Sequence, residues 1–199
     1  MKVERKQIKH IRDFRSKLQT RDDDNNPKIE GYFAVFNQET ELWPGAYEKI
    51  SRTAFDGQTD ADVRALINHD TTLVLGRTTA GTLRLRTDDK GLFGEIDINP
   101  KDTEAMNLYE RVKRGDVNQC SFGFQITEEE VDFRDDGSAH WEINGVKLYE
   151  VSPCTFPAYS ATGIEARKNE LVEHKERKLT VWKRGMKERI ANVKTNNAE

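Results

Sequence analysis

The spacing of apolar residues between Ile29 and Ser152 constrains the fold more than any other feature of the chain. In short runs, apolar and polar residues alternate with a period of two, which sends successive side chains to opposite faces and fits a half-buried strand. Strands are expected over Ile29–Phe36, Tyr47–Ile50, Val63–Ile67, Leu73–Leu75, Thr82–Arg86, Leu92–Ile98, Val117–Thr127 and Lys147–Ser152. Turn chemistry punctuates them at Pro44-Gly45, Asp88-Asp89-Lys90-Gly91 and Asp135-Asp136-Gly137, and Pro153 closes the last.

The period changes once. After Pro100, Ala105, Met106, Leu108, Tyr109 and Val112 recur at helical spacing behind a capping Asp102-Thr103, and Gly115 follows Arg111, Lys113 and Arg114 as a stop signal. Strands at intervals of about ten residues with one helix inserted predict a barrel or sandwich of α+β character.

The 199 residues carry a formal net charge of -3 that is unevenly distributed. Residues 1–28 hold nine basic and five acidic side chains, and residues 165–199 hold ten basic and six acidic, so each end is +4; the centre, 29–164, has 13 basic and 24 acidic and is -11. At 35% hydrophobic the chain also falls below the roughly 45–50% of an average globular domain. The expected organisation is a basic N-terminal arm and linker over 1–28, an acidic folded domain over 29–164, and a basic, partly helical or disordered C-terminal arm over 165–199. Apolar residues in the arms (Ile8, Ile11, Phe14 and Leu18; then Leu171, Val172, Leu179, Val181, Trp182, Met186 and Ile190) fit marginal amphipathic helices, and Arg21 to Pro27 has linker composition.

Several classes of function are disfavoured. No run approaches the roughly 18 apolar residues of a membrane helix, and Met1 to Lys28 has no apolar stretch of signal-peptide type, so neither a membrane association nor classical export is expected. Cys120 and Cys154 are no disulfide framework and read as small buried hydrophobes. No paired Cys/His spacing points to a metal, no glycine-rich phosphate loop to a nucleotide cofactor, and no aromatic-basic signature to nucleic acid.

Three residues could carry nucleophilic chemistry. His69 sits at a strand end in Asn68-His69-Asp70. Ser121 lies in Gln119-Cys120-Ser121-Phe122-Gly123-Phe124, where alternation places Ser121 and Gly123 on one face and Cys120, Phe122 and Phe124 on the other. Glu150, between Tyr149 and Val151, is on a solvent face or is inside and paired, since burial unpaired would be costly. A hydroxyl, an imidazole base and a carboxylate that orients it form the minimum set for acyl transfer. Asp70 is the alternative carboxylate, although a neighbour of His69 in an extended strand points to the opposite face.

The ordered motifs Gly31-Tyr32-Phe33-Ala34-Val35-Phe36-Asn37, Pro44-Gly45-Ala46-Tyr47, Val63-Arg64-Ala65-Leu66 with Asn68-His69-Asp70, and Leu75-Gly76-Arg77-Thr78 resemble the caudovirus prohead protease family. So do Gly81-Thr82-Leu83-Arg84-Leu85, Arg114-Gly115-Asp116-Val117, Ser121-Phe122-Gly123-Phe124, Glu150-Val151-Ser152-Pro153 and Thr155-Phe156-Pro157-Ala158-Tyr159. The match runs from about Ile29 to Ala166 and departs from the pattern at Cys154, where a valine-like residue is expected, and at Cys120.

The resemblance implies a herpesvirus-assemblin-like serine endopeptidase, mainly β, with a closed antiparallel barrel surrounded by a few helices and no cofactor. It implies His69 as general base, Ser121 as nucleophile and Glu150 as orienting residue. The sequence does not single out the oxyanion donors, for which backbone N–H groups around Phe156 to Ser160 and the side chain of Arg77 are the candidates. It further implies action in the host cytoplasm inside the assembling prohead on scaffold or on the scaffold-like N-terminal segment of the major capsid protein, self-digestion, contact with the portal and prohead shell, and dimerisation as in related enzymes. The alternative is a non-catalytic assembly module that binds scaffold.

Overall fold

The computed structural model describes residues 10–14, 18–23, 26–156 and 161–196. The described chain divides into two compact units, Met1–Gly163 and Ile164–Glu199.

The first unit contains eleven described strands: β1 (His10–Phe14), β2 (Gln19–Asp23), β3 (Asn26–Val35), β4 (Thr40–Trp43), β5 (Ala46–Ile50), β6 (Arg64–Ile67), β7 (Asp70–Arg77), β8 (Leu83–Thr87), β9 (Gly91–Asp97), β10 (Gln119–Phe133) and β11 (Ala139–Cys154). A 3-10 turn at Thr78–Ala80 separates β7 from β8, and helix α1 (Thr103–Arg114) separates β9 from β10. Helix α2 (Ala161–Asn196) makes up nearly all of the second unit.

Helix α1 begins and ends where its cap chemistry dictates. The Asp102 carboxylate accepts from the Glu104 and Ala105 N–H groups, satisfying donors that have no intrahelical partner, and Gly115 closes the C-terminus in the left-handed conformation at φ 85°. Ala105, Leu108, Tyr109 and Val112 form its buried stripe.

The strands form two sheets. One has seven strands, ordered β1-β10-β11-β5-β4, with β6 and β7 branching from β11; the other has four, ordered β2-β3-β9-β8. The expected closed antiparallel barrel is not formed: closure requires each strand to be paired along both edges, and neither sheet returns on itself. The cause lies in β11. Its 16 residues pair antiparallel with β10 along one edge, but its other edge is divided between β5, which runs parallel at Ala139–Ile143, and β6, parallel at Glu150–Val151. Between these two pairings the loop after β5 supplies the backbone bonds, Ser51 N–H to Ile143 C=O at 2.9 Å and Val146 N–H to Ala54 C=O at 3.0 Å. The sheet therefore forks instead of closing.

The stretch with arm and linker composition contains paired strands. Residues of β1 pair with β10, and Gln19 to Asp23 pair with the start of β3, although Leu18 is the described apolar residue of this stretch that reaches the core. One hydrophobic core joins the sheets: Ile29, Phe33, Leu92 and Ile96 from the smaller, Cys120, Phe122, Phe124, Leu148 and Val151 from the larger, and the buried stripe of α1. The core face of β10 thus carries Cys120, Phe122 and Phe124, the side that alternation predicts.

Candidate active site

His69 occupies a strained turn. Asn68 and His69 both have positive φ, 51° and 63°, a left-handed conformation that Asn and His tolerate better than most residues but that needs support from the surrounding structure. The end of β11 and the residue after it supply that support: Asn68 N–H donates to Pro153 C=O at 3.1 Å, His69 N–H donates to Ser152 Oγ at 3.3 Å, and Thr155 N–H donates to Asn68 Oδ1 at 2.9 Å. The turn ends the short β6–β7 connection, so the imidazole projects from a point fixed on both sides.

Glu150 is inside and paired. Its carboxylate is 3% exposed, with Oε1 at 2.8 Å from His69 Nδ1 and Oε2 accepting from the Ser152 hydroxyl at 2.6 Å. An ionised carboxylate only accepts hydrogen bonds, so in this pair Nδ1 carries the proton. Neutral His69 is then the Nδ1–H tautomer, and its lone pair sits on Nε2. That nitrogen is buried and has no hydrogen-bond partner.

Ser121 is fully buried on β10, directly opposite Ser152 in the antiparallel register. Directly opposed residues share a face, and so do residues two apart on one strand. Ser121, Ser152 and Glu150 therefore lie on one face of the β10–β11 pair, the face against which the His69 turn is held. Cys120 is turned the other way. Its thiol donates to Tyr32 C=O at 2.8 Å, and the residue packs in the core; Cys154 is likewise a buried free cysteine.

Asp70 does not approach the imidazole through any described bond. It accepts instead from Thr72 Oγ1 at 2.6 Å and Thr72 N–H at 2.8 Å, and these bonds, the hydroxyl's first, lower its pKa. Arg77 is engaged by Asp62 through both Nε and Nη2, at 2.6 and 2.8 Å, and this interaction lowers the Asp62 pKa to about 2. Phe156 is 80% exposed, and residues 157–160 of the candidate oxyanion segment lie outside the described residues.

His140 makes a second histidine–carboxylate contact, Nδ1 to Glu39 Oε1 at 2.8 Å, with Ser138 Oγ at 3.2 Å from Nε2. It belongs to the β10–β11 hairpin end and stacks on Tyr47, with ring centroids 4.7 Å apart. No group of three or more metal-binding side chains converges among the described residues, and no described helix is long and apolar enough to cross a membrane. Ser152 and Asn68 are the members of this site that residue chemistry alone did not single out. Ser152 lies two residues past Glu150 on the same strand, a spacing that puts both on one face once Glu150 is placed inside.

Ser121 shares a sheet face with Glu150, which is bonded to His69, and a hydroxyl with an imidazole–carboxylate pair is the set that acyl transfer of the serine type requires. The model of the family described as caudovirus prohead serine protease matches residues 16–177, and the chain belongs to that family. It is 30% identical over 146 residues to the prohead protease of Enterobacteria phage HK97, a stretch covering 71% of this chain and 60% of that protein. The chain thus spans about 60% of the length of this curated relative. No solved structure matches it.

Proposed function

We propose that the chain is a serine endopeptidase of phage prohead maturation in which Ser121 is the nucleophile, His69 the general base and Glu150 the orienting acid. The observation that carries this reading is the 2.8 Å bond from His69 Nδ1 to buried Glu150, which leaves Nε2 as the basic nitrogen.

In the proposed reaction His69 Nε2 takes the Ser121 proton as Oγ attacks the carbonyl carbon of a peptide bond. The resulting imidazolium is stabilised by Glu150, and it returns the proton to the leaving amine as the tetrahedral intermediate collapses to an acyl-enzyme. Water then attacks the ester with His69 again acting as base, and the free acid departs. General-base assistance contributes roughly 10²–10⁴-fold. Electrostatic stabilisation of the oxyanion contributes about as much or more.

The substrates in this reading are the scaffold-like N-terminal segment of the major capsid protein and the enzyme itself, cut inside the assembling prohead. Helix α2 is the proposed recruiting element: it exposes Val172, Leu179, Trp182 and Met186 on a segment whose net charge is +4 over 165–199, which suits an acidic scaffold segment. Co-expression with the neighbouring capsid gene tests the whole proposal. Cleaved capsid protein with the native enzyme and none with Ser121→Ala or His69→Ala is expected, and cleavage by either variant overturns the assignment. Full head assembly after deletion of residues 165–199 overturns the role of α2.

A further inference from the structure

Acyl transfer as described above uses three side chains, yet a fourth joins two of them. Ser152 is fully buried, lies two residues after Glu150 on the same face of β11, and stands directly opposite Ser121. Its hydroxyl donates to Glu150 Oε2 at 2.6 Å and accepts from the His69 backbone N–H at 3.3 Å. A serine hydroxyl has one proton to give and two lone pairs. Here the proton is spent on the carboxylate and a lone pair on the strained turn.

We propose that Ser152 is a positioning residue: one buried hydroxyl fixes the rotamer of Glu150 and the backbone of His69 together, and so sets the line along which Nδ1 meets Oε1. The inference rests on the reading of Ser121, His69 and Glu150 as the catalytic set. Three observations support a positioning role over simple space-filling. The Ser152 hydroxyl gives the buried carboxylate a short, charge-assisted hydrogen bond on the oxygen that does not meet the imidazole. Two successive left-handed residues, Asn68 and His69, need external bonds to hold them, and Ser152 provides one of the three that reach them from residues 152–155. Finally, alanine at this position would remove both bonds at once while leaving the β10–β11 backbone pairing intact.

The test uses purified full-length Ser152→Ala and Ser152→Cys, the second retaining nearly the volume of serine with a much weaker donor. Partners that orient metal-bound histidines from behind typically matter by about 10–100-fold, and by analogy a loss of about that size in kcat with KM unchanged is expected for both variants. The accompanying signature is the low-field proton resonance of His69 Nδ1–H, sharp in the native protein and broadened or lost in both variants, whereas thermal unfolding of Ser152→Cys stays close to native. Native kcat and an unchanged low-field proton in a folded variant overturn the proposal. Should Ser152→Ala fail to fold, Ser152→Cys decides alone. Cleavage that persists in Ser121→Ala would instead overturn the underlying assignment, whatever Ser152 does.

Discussion

His69 Nδ1 and Glu150 Oε1 lie 2.8 Å apart across the junction of the β6–β7 turn and β11, while the neighbouring carboxylate of Asp70 is turned to Thr72. The two acids therefore make opposite predictions. Glu150→Gln is expected to lower kcat by about 10³-fold or more, since an amide cannot stabilise the imidazolium and permits the wrong tautomer. Asp70→Asn is expected to leave kcat near native. Equal losses in a steady-state assay on the two variants would contradict the assignment.

Chemical labelling separates the adjacent nucleophiles. The Cys120 thiol is buried in the core and bonded to Tyr32 C=O, on the opposite face from Ser121. A fluorophosphonate is expected to modify Ser121 with loss of activity, and iodoacetamide under native conditions to leave activity intact. Peptide mapping that finds the reverse pattern would favour the thiol.

Acid should weaken the smaller sheet in a way that depends on Glu95. Burial opposes the charge on Glu95, but hydrogen bonds from Arg84 at 2.9 Å and Lys28 at 3.3 Å outweigh it and hold its pKa at about 2. An unfolded glutamate titrates near about 4.3, so the folded value is depressed: the stabilisation is complete above that pH and disappears as pH falls from about 4.3 toward the folded value. Urea midpoints of the native protein should fall more steeply across this window than those of Glu95→Gln. Parallel pH profiles would show that the network contributes nothing.

Two glycines are expected to respond differently to alanine. A Cβ on Gly91 would lie 1.9 Å from the Ala34 carbonyl oxygen, so β3 and β9 must separate, and about 3 kcal/mol or more should be lost. Gly115 has open space around it but a φ of 85°, so Gly115→Ala costs the left-handed penalty of about 1–2 kcal/mol. Chemical denaturation that ranked Gly115→Ala as the more damaging change would refute the close approach of β3 to β9.

Where local chemistry decides the outcome, the sequence was readable. Asp102 and Gly115 bound α1, the Asp88–Gly91 and Asp135–Gly137 turns join antiparallel neighbours, and alternation places Cys120 and Ser121 on opposite faces. Expectation fell short where pairing, not side-chain character, makes the strand. The acidic run Glu128-Glu129-Glu130 reads as strand end, yet β10 continues to Phe133, because the hairpin partner Ala139–Gly145 satisfies its backbone. Gln19 to Asp23, although polar, is a strand for the same reason, being ordered by bonds to β3. Barrel closure is a question of which distant edges meet. No local period encodes the parallel docking of β5 and β6 onto one edge of β11. At the site, His69, Ser121 and Glu150 were visible as residue types, whereas the contribution of Asn68 lies in its positive φ and its bonds to Pro153 and Thr155, which only the folded chain brings together.

Around Ser121, the strand that carries it has no vacant edge. Along Cys120–Phe124 it is bonded to β11 on one side and to β1 on the other, with Asp13 opposite Ser121. An extended polypeptide cannot zip onto β10 there as an additional strand while residues 10–14 remain in register. In the proposed reaction, a substrate reaching Ser121 must cross the sheet from its side-chain face or first peel away the chain's own N-terminal strand, which makes β1 a gatepost beside the proposed nucleophile.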